Sequence, residues 1–339
     1  MNVSVIIPVY QVAPYIEDCL KSMMRQTYQG GMECLLIDDC GTDDSIAIAE
    51  GMIAAYEGPV RFEVIRHERN RGLSAARNTG LEHATGDYVY FLDSDDEITE
   101  DCIEKLMAET IRHPETEMVQ GNVLTIPVRN LDGLTVSVKQ TMASTNEEVR
   151  RCFFEQEQIN LAAWNKLMKR SFLAEHGILF EEGLIFEDTP WLFLLMKHLG
   201  HVCLVKDMTY HYKRRAHSIV TGSSIKKKAG DLERIYGLIV SDLTSGYERQ
   251  ELNYYGKKMA FFCAKYARFV PAYKEDIKGW QNLAKKYCGW GFRMRLAYGR
   301  LMAGTKYGWL MLSMLYRIEH PRVIPGDVMR IWAFVFSKT

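Results

Sequence analysis

Short apolar runs alternate with stretches of helical periodicity over the first part of the chain. The runs Val3–Val9 and Glu33–Ile37 have the length and apolar character of strands that are buried on both faces. Strands that alternate with helices at this spacing predict βαβ units and an α/β fold, with a mostly parallel sheet flanked by helices. The other predicted strands are Val60–Arg66 and Tyr88–Leu92, and the predicted helices are Tyr15–Gln26, Ser45–Tyr56, Ser74–Ala84 and Glu100–Arg112.

The pattern changes after residue 115 and again at about residue 225. No low-complexity linker marks either point, so the division into 1–115, 116–224 and a helical C-terminal extension at 225–339 has soft boundaries. The elements predicted in the middle region are the strands Met118–Thr125, Thr135–Gln140 and Tyr210–Tyr212, a turn at Asn130–Gly133, and the helices Glu147–Glu157 and Ala163–His176.

Charge is distributed unevenly along a chain of otherwise ordinary globular composition. Of the 339 residues, 47% are apolar and 25% are charged, and the formal net charge of −1 argues against a nucleic-acid partner. Residues 257–339, however, contain 16 Lys and Arg but 4 Asp and Glu, together with several aromatic residues. This basic, Trp-containing tail favours contact with an anionic membrane surface; the alternative is a helical bundle with a solvated basic face.

The cysteines and the apolar segments favour a cytoplasmic protein. The eight cysteines are scattered without a C-x-x-C pair, which favours reduced thiols over a disulfide framework or a cysteine-bound metal. The N-terminus lacks the basic leading region of a signal peptide, and Pro8 interrupts its short apolar run. No run approaches the ~18–20 apolar residues of a transmembrane helix. We therefore expect a cytoplasmic protein that meets the inner face of the cell membrane through its tail.

Three carboxylates crowd the end of the predicted strand Tyr88–Leu92. In the run Phe-Leu-Asp-Ser-Asp-Asp at 91–96, Asp93 and Asp95 would point the same way from an extended chain. Carboxylates this close repel each other, and Mg²⁺ or Mn²⁺ would relieve the repulsion because hard cations bind carboxylate and phosphate oxygens. The alternative is a solvated acidic turn that caps the following helix.

Two other polar segments follow predicted strands of the same sheet. Asp38 and Asp39 end the second strand, where a carboxylate could accept a hydrogen bond from a nucleobase or a ribose; an Asx turn or a helix cap is the alternative. In the segment 70–80, Gly72 permits close backbone approach, and Arg71 and Arg77 could meet phosphates or form salt bridges. Ligands bind at the carboxyl ends of strands in such sheets, where these residues are placed.

A second acidic pair and a set of cations complete the candidate residues. Glu187 and Asp188 precede Thr189, an expected helix N-cap, and the dipole of that helix would keep Asp188 ionised as a general base. The alternative is that both carboxylates only complement the helix dipole. Three cations could contact a diphosphate leaving group or an acceptor, unless they form a solvated basic surface: Lys166, Arg215 and His217. Glu187 is a further candidate for such a contact.

Four segments, taken in order, resemble family 2 glycosyltransferases of the GT-A fold. They are Ser-Val-Ile-Ile-Pro-Val-Tyr at 4–10, Leu-Ile-Asp-Asp-Cys-Gly-Thr-Asp-Asp-Ser at 36–45, Asn-Arg-Gly-Leu-Ser-Ala-Ala-Arg-Asn-Thr-Gly at 70–80, and the acidic run at 91–96. The resemblance is close over residues 3–110 and looser as far as Ile219. The family often has Asp-Asp-Gly-Ser-Thr-Asp after the second strand, where this chain has Asp-Asp-Cys-Gly-Thr-Asp at 38–43.

The resemblance implies inverting transfer of a sugar from a nucleotide diphosphate donor, with Mn²⁺ or Mg²⁺ as cofactor. Asp39 would bind the base, by resemblance uracil. Asp93 would reach the ribose or the metal, and Asp95 would hold the metal on the diphosphate. Asp188 would be the catalytic base, and no general acid is needed because a metal-bound diphosphate is a good leaving group. The resemblance adds four residues to the nucleoside pocket: Pro8, Tyr10, Gly72 and Arg77.

We expect an enzyme that builds a surface polysaccharide or glycan on a glycan or lipid-linked acceptor. A sugar nucleotidyltransferase would also place acidic metal ligands on an α/β sheet, but its Gly-rich phosphate loop is missing after Val3–Val9. A non-catalytic protein that binds nucleotide-sugars or lipids would have no need of Asp93, Asp95 and Asp188. Both alternatives stay open at this point.

Overall fold

The structure is a computed structural model in which residues 1–126, 136–214 and 223–256 are described. The chain divides into two compact units, Met1–Arg215 and Ala216–Thr339. The described part of the first unit contains one sheet of nine strands with helices around it. The regions on both sides of residue 115 contribute strands to this sheet.

The elements of the first unit are numbered in chain order over its described residues. The helices are α1 Ile16–Met24, α2 Ser45–Ala54, α3 Leu73–His83, α4 Cys102–Arg112, α5 Asn146–Phe154, α6 Arg170–Glu175 and α7 Asp188–His198. The strands are β1 Val3–Val9, β2 Met32–Asp38, β3 Arg61–Arg66, β4 Tyr88–Phe91, β5 Glu97–Ile98, β6 Met118–Ile126, β7 Met142–Ala143, β8 Lys166–Lys169 and β9 Val202–Lys213, and their order in the sheet is β3-β2-β1-β4-β8-β6-β9-β5, with β7 beside β9.

The first half of the sheet confirms the predicted βαβ pattern. Strand β1 pairs in parallel with β2 and β4, and β2 pairs in parallel with β3. Every residue of β1 is buried because helices cover both faces of the sheet at this point. Val5 and Ile7 belong to the core that includes Leu20 of α1, whereas Ile6 faces α3 on the opposite side.

Helix α3 lies directly against β1, and a glycine permits this close approach. A Cβ atom at Gly80 would stand 2.3 Å from Cγ2 of Ile6, far inside van der Waals contact. Ile6 is fully buried and β-branched, so its side chain cannot turn away from an added methyl group. The absence of a side chain at Gly80 therefore permits the close packing of α3 on β1.

The second half of the sheet is mixed, and one predicted helix is wrong. Over Ala163–His176, strand β8 runs antiparallel between β4 and β6, and only the end of the segment is helical, as α6. Asn165 adopts φ 58°, a left-handed conformation that interrupts a helix. Its buried side chain compensates, since Oδ1 accepts hydrogen bonds from Tyr90 (3.1 Å) and Thr209 (2.8 Å).

The described part of the predicted strand Thr135–Gln140 is not a strand either. The backbone of Val136 is bound by the side chain of Asn122, at 3.1 Å from its N–H and 3.0 Å from its carbonyl oxygen. The segment therefore pairs with a side chain instead of a neighbouring strand. The predicted turn at Asn130–Gly133 lies outside the described residues.

The parallel strands end at one edge of the sheet, and each leads into a polar loop. The N–H of Asp39, after β2, donates to the carbonyl of Val9 at the end of β1 (3.0 Å). The N–H of Leu92, after β4, donates to Ile6 of β1 (3.1 Å). Strand β1 therefore separates the loop after β2 from the acidic turn after β4.

In the second unit, helix α8 spans Ile225–Ser241, close to the predicted start of the helical region. The hydroxyl of Ser224 caps it by accepting a hydrogen bond from the N–H of Lys227 (3.1 Å). Residues 248–256 are also helical, and the basic tail at 257–339 lies outside the described residues. None of the helices described in either unit has the length and apolar character needed to cross a membrane.

Alanine substitution of the two helical glycines, Gly80 and Gly51, should change the free energy of unfolding in opposite directions. Gly80→Ala forces a methyl group against Ile6, and overpacking of this kind costs about 1–3 kcal/mol. Gly51→Ala, in α2, meets nothing within 4 Å and should gain about 0.5–1 kcal/mol from helix propensity. Urea unfolding of both variants measures the difference. Equal stability of the two variants would contradict the close approach of α3 to β1.

Candidate active site

The Asp39 carboxylate holds together the loop that follows β3. Its side chain is 4% exposed, and Oδ1 accepts hydrogen bonds from the N–H of Arg71 (2.7 Å) and from Nδ1 of His67 (2.8 Å). Oδ2 accepts from the N–H of Gly72 (2.8 Å), which has φ 89° and precedes the first residue of α3. An Asx turn was the alternative considered for Asp38 and Asp39. It is present at Asp38, whose side chain accepts a hydrogen bond from the N–H of Cys40 (3.0 Å).

The acidic run after β4 forms a tight turn. The N–H of Asp96 donates to the carbonyl of Asp93 (3.0 Å), and oxygens of Asp93, Asp95 and Asp96 all lie within 4.8 Å of one another. The carboxylates therefore converge through a turn and not, as predicted, through an extended chain. Their hard oxygen atoms fit a divalent cation of the Mg²⁺ or Mn²⁺ type.

The three carboxylates of this turn differ in their surroundings. Asp96 is buried and accepts hydrogen bonds from the Tyr210 hydroxyl (2.8 Å) and from the N–H of Lys213 (2.7 Å), both on β9. Burial and the charges of Asp95 and Asp93 raise the pKa of Asp96 well above its usual range. Asp96 therefore anchors the turn to β9, and Asp93 and Asp95 are the partly exposed members that could hold a cation.

Arg77 of α3 binds three carboxylates from two distant parts of the chain. Its Nη2 donates to Oδ1 of Asp93 (2.9 Å), and its Nη1 donates to Oε1 of Glu187 (2.8 Å) and to Oδ1 of Asp188 (3.0 Å). The side chain is 1% exposed, and the Phe180 ring lies 5.1 Å from the guanidinium carbon. The resemblance implied that Arg77 shapes the nucleoside pocket; the structure places it as the link between the acidic turn and the start of α7.

Helix α7 begins two residues earlier than the predicted cap requires. Asp188 is its first residue and Glu187 its N-cap, so the expectation that Thr189 caps the helix is wrong. The residue before the pair, Phe186, has φ 68°, a strained conformation for a bulky side chain. This bend turns both carboxylates toward Arg77.

Burial raises the pKa values of both carboxyl groups of this acidic pair. Desolvation raises the pKa of Asp188, and the positive charge of Arg77 opposes the shift. Desolvation and the neighbouring charge of Asp188 raise the pKa of Glu187 to about 7, again against Arg77. Burial therefore acts against the helix dipole, which was expected to keep Asp188 ionised. A raised pKa makes Asp188 a stronger base.

Lys166 lies inside the protein, close enough to Asp188 for their charges to interact. It is 0% exposed, and its ammonium donates to the Asn160 side chain (2.6 Å) and to the carbonyl of Ala162. Burial lowers its pKa to about 7, and the charge of Asp188 counteracts the shift. In this position Lys166 is a buried counter-charge for Asp188, so its predicted contact with a diphosphate or an acceptor has no support from its location.

The other predicted site residues lie at the carboxyl edge or beyond the described residues. Pro8 is buried in β1, opposite Ile37 of β2, and Tyr10 follows β1 with 41% of its surface exposed. Arg215 and His217 lie outside the described residues. The roles implied for all of these residues stay predictions.

Sequence reasoning missed two residues that support the site. His67 is a single histidine after β3, and nothing in its local pattern separates it from a surface residue. Phe180 precedes the Glu187–Asp188 pair without any regular periodicity. His67 contacts Asp39 and Phe180 contacts Arg77, and both pairs are distant in sequence. Long-range contact information would therefore have been needed to find these two residues.

Replacement of Arg77 by methionine should destabilise the fold in a pH-dependent way. Removing the partner of a buried ion pair costs about 3–5 kcal/mol, because uncompensated charge is left behind. The carboxylates with raised pKa values take up protons as the pH falls, and neutral carboxyl groups no longer need the cation. The loss in unfolding free energy should therefore be larger at about pH 8 than at about pH 6.

Arg71→Met is the matched control for this measurement. Arg71 forms an exposed ion pair with Glu182 (3.1 Å), and such pairs contribute at most about 1 kcal/mol. Arg71→Met should therefore change the unfolding free energy little at either pH. If Arg77→Met were as mild as Arg71→Met, the proposed electrostatic role of Arg77 would be refuted.

Comparison with known proteins gives relatives of one family. The family model described as "Glycosyl transferase family 2" matches residues 4–177. The glycosyltransferase GlyG of Streptococcus pneumoniae serotype 4 is 25% identical over 248 residues, which is 71% of this chain and 80% of GlyG. The poly(ribitol-phosphate) β-N-acetylglucosaminyltransferase TarS of Staphylococcus aureus is 28% identical over 216 residues, which is 62% of this chain but 35% of TarS.

Solved structures share the fold. A crystal structure of S. aureus TarS 1–349 in complex with UDP-GlcNAc aligns with a TM-score of 0.71 and 21% identity, over 94% of this chain and 92% of that one. The mannosyltransferase PcManGT of Pyrobaculum calidifontis, in complex with GDP-Man and Mn²⁺, aligns with a TM-score of 0.56 and 18% identity, over 92% and 83%. The family match covers half of the chain and includes Asp39, Arg77 and the acidic turn. The chain therefore belongs to glycosyl transferase family 2 and is a glycosyltransferase.

Proposed function

We propose that this glycosyltransferase moves a sugar from a UDP-sugar to a hydroxyl group of a polysaccharide or other glycan acceptor, with inversion at the anomeric carbon. The observation that carries the proposal is the position of Arg77. The two terminal nitrogens of its guanidinium bind Asp93 and Asp188, so the carboxylate of the donor side and the candidate base are held by one group. A donor bound at the acidic turn would therefore lie next to the base.

The residues at the carboxyl edge of the parallel strands support a binding site for the nucleotide-sugar donor. Asp39 would offer a carboxylate to a nucleobase, and Asp93 would reach the ribose or the metal. Pro8, Tyr10 and Gly72 would line the nucleoside pocket around them. The UDP-GlcNAc complex of TarS, a protein with the same fold, favours uridine as the nucleoside.

A divalent cation, Mn²⁺ or Mg²⁺, would be held by Asp95 with help from Asp93. When bound, it would neutralise the charge that grows on the departing diphosphate. The convergence of three carboxylates at the turn supports the proposal, because without a cation they repel each other. The Mn²⁺ that accompanies GDP-Man in the PcManGT complex points to the same requirement.

Asp188 would act as the general base. Its side chain is 23% exposed, so one edge can meet an acceptor while Nη1 of Arg77 binds the other oxygen. It would take the proton of the acceptor hydroxyl as that oxygen attacks the anomeric carbon, and the carbon–diphosphate bond breaks on the opposite face. A single displacement of this kind inverts the configuration, and the raised pKa of Asp188 favours proton uptake.

The acceptor is proposed to be a cell-surface polysaccharide or a lipid-linked glycan. The relative TarS is named for transfer to poly(ribitol-phosphate), a polymer of this kind. The basic tail at 257–339 supports a location at the cytoplasmic face of the membrane, where it would meet anionic lipids. We place the enzyme there as a peripheral protein.

Asp188→Asn should abolish transfer and leave donor binding intact. The amide keeps the shape and the contact with Arg77 but cannot accept a proton, and loss of a general base costs about 10²–10⁴-fold in rate. Calorimetry with UDP and Mn²⁺ should give an affinity within about threefold of the wild type, since only acid–base chemistry is removed. Transfer is measured as release of UDP from a panel of UDP-sugars with a glycan acceptor. Turnover equal to that of the wild type would exclude Asp188 as the base.

Two further variants separate the base from the metal site and from nonspecific charge effects. Asp95→Asn should weaken UDP binding in Mn²⁺ to the level of the wild type in EDTA, because it removes the proposed metal ligand. Asp207→Asn removes an exposed carboxylate that pairs with Lys105. This control variant should change neither the rate of transfer nor the affinity for UDP. Equal UDP binding with Mn²⁺ and with EDTA would reject the metal requirement.

The basic tail should carry the protein onto anionic vesicles. The full chain is expected to float with vesicles that contain phosphatidylglycerol and to stay in solution with pure phosphatidylcholine, since each basic residue contributes about 1 kcal/mol near an anionic surface. Replacing Lys285, Lys286, Arg293 and Arg295 by glutamine should reduce flotation. The matched control replaces four exposed basic residues of the first unit, namely Lys21, Arg25, Arg61 and Arg66. Equal losses in both variants would reject the tail as the membrane-binding segment.

A further inference from the structure

The Asp39 carboxylate keeps one place for a further hydrogen bond. An ionised carboxylate accepts about four hydrogen bonds, two at each oxygen. Within residues 1–126, 136–214 and 223–256, Oδ1 accepts two and Oδ2 accepts one, all from N–H donors at 2.7–2.8 Å. The remaining place on Oδ2 is suited to one more N–H group, which a bound ligand can supply.

His67 is itself held in one orientation. Its backbone N–H donates to the carbonyl of Asp38 (2.9 Å), and its ring is 4% exposed. Nε2 lies 2.9 Å from the hydroxyl of Thr79, which is on α3 and almost fully buried. The ring is therefore fixed at both nitrogens between the end of β2 and the helix.

The hydrogen-bond partners determine which nitrogen of His67 carries the proton. An ionised carboxylate can only accept, so Nδ1 of His67 is the donor in the contact with Asp39. With the proton on Nδ1, the Thr79 hydroxyl can donate to Nε2. This chain of contacts, Thr79 to His67 to Asp39, keeps Asp39 an acceptor and fixes the rotation of its carboxylate.

We propose that His67 is a positioning residue for nucleobase selection, acting through Asp39 and supported by Thr79. The inference rests on the proposed function, in which Asp39 meets the base of the donor. A carboxylate held as an acceptor selects bases with a ring N–H, such as uracil at N3. Cytosine presents a lone pair at N3, and two acceptors that face each other repel.

Two backbone hydrogen bonds hold the loop after β3 on Asp39 without any help from the His67 side chain. The contact of His67 with Asp39 is therefore available for a role other than stability. The N–H groups of Arg71 and Gly72 already attach the loop to Asp39 through backbone atoms, which any side chain at position 67 leaves in place. Among the described residues, His67 adds the one side-chain donor to this carboxylate. Its loss leaves Oδ1 with one donor and loosens the orientation of the carboxylate, which a bound ligand experiences directly.

Two isosteric variants separate the two ends of the histidine ring. The amide nitrogen of asparagine occupies the place of Nδ1, so His67→Asn retains a donor to Asp39. The amide of glutamine occupies the place of Nε2, so His67→Gln retains the contact with Thr79 and loses the donor. Calorimetric titration with UDP and with CDP, each in Mn²⁺, measures the ratio of the two affinities.

The wild type should prefer UDP over CDP by about tenfold to a hundredfold, as expected for one hydrogen bond to a charged group. His67→Asn should keep this ratio within about threefold, and His67→Gln should reduce it by about tenfold or more. A purely structural role would weaken both nucleotides equally and leave the ratio unchanged. Retention of the wild-type ratio in His67→Gln would overturn the inference.

Failure of the donor assignment gives a different result. A wild type that binds UDP no better than CDP overturns the proposed donor and this inference together, whatever the variants do. Should the histidine variants unfold, Thr79→Val removes one hydroxyl at constant volume. It should reduce the UDP-to-CDP ratio by about threefold, and an unchanged ratio overturns the inference.

Discussion

One buried cation fixes the geometry of the active site. The guanidinium of Arg77 reaches Asp93 at one nitrogen and the Glu187–Asp188 pair at the other, and all of these groups are removed from bulk water to a large degree. Because a buried carboxylate without a partner is costly, the acidic turn and the first turn of α7 cannot separate independently. The distance between the acidic turn and Asp188 is therefore set by a rigid planar group.

The same cluster sets the chemistry of its members. Three carboxylates share one guanidinium, so the negative charge is only partly neutralised, and burial raises the pKa values of Glu187 and Asp188. A higher pKa strengthens Asp188 as a base but reduces the fraction that is ionised. Lys166, buried on the other side, adds a second positive charge that limits this reduction. Two cations thus act on the pKa of Asp188, and both were predicted as site residues in other roles.

The fold was largely predictable, whereas the connections within the site were not. Strand Val3–Val9 has the bounds that its apolar run predicts, because a strand buried on both faces leaves a continuous local signal. The helix predicted over Ala163–His176 failed at Asn165, where buried side-chain hydrogen bonds stabilise a left-handed backbone that local pattern does not encode. The acidic turn was visible as a cluster, but the role of Arg77 was not, since Asp188 lies 111 residues away in the chain.

The junction between β4 and β8 has a consequence for how such enzymes diversify. The parallel half of the sheet meets the mixed half through three residue pairs in the antiparallel register Tyr88 to Lys169. Backbone pairing of this kind accepts many sequences, so a different second half could be grafted at this junction by recombination. The graft would fold around the old first half only if it brought an acidic pair to meet Arg77. A second half can therefore be exchanged as a block, provided that the incoming block carries the carboxylates that neutralise Arg77.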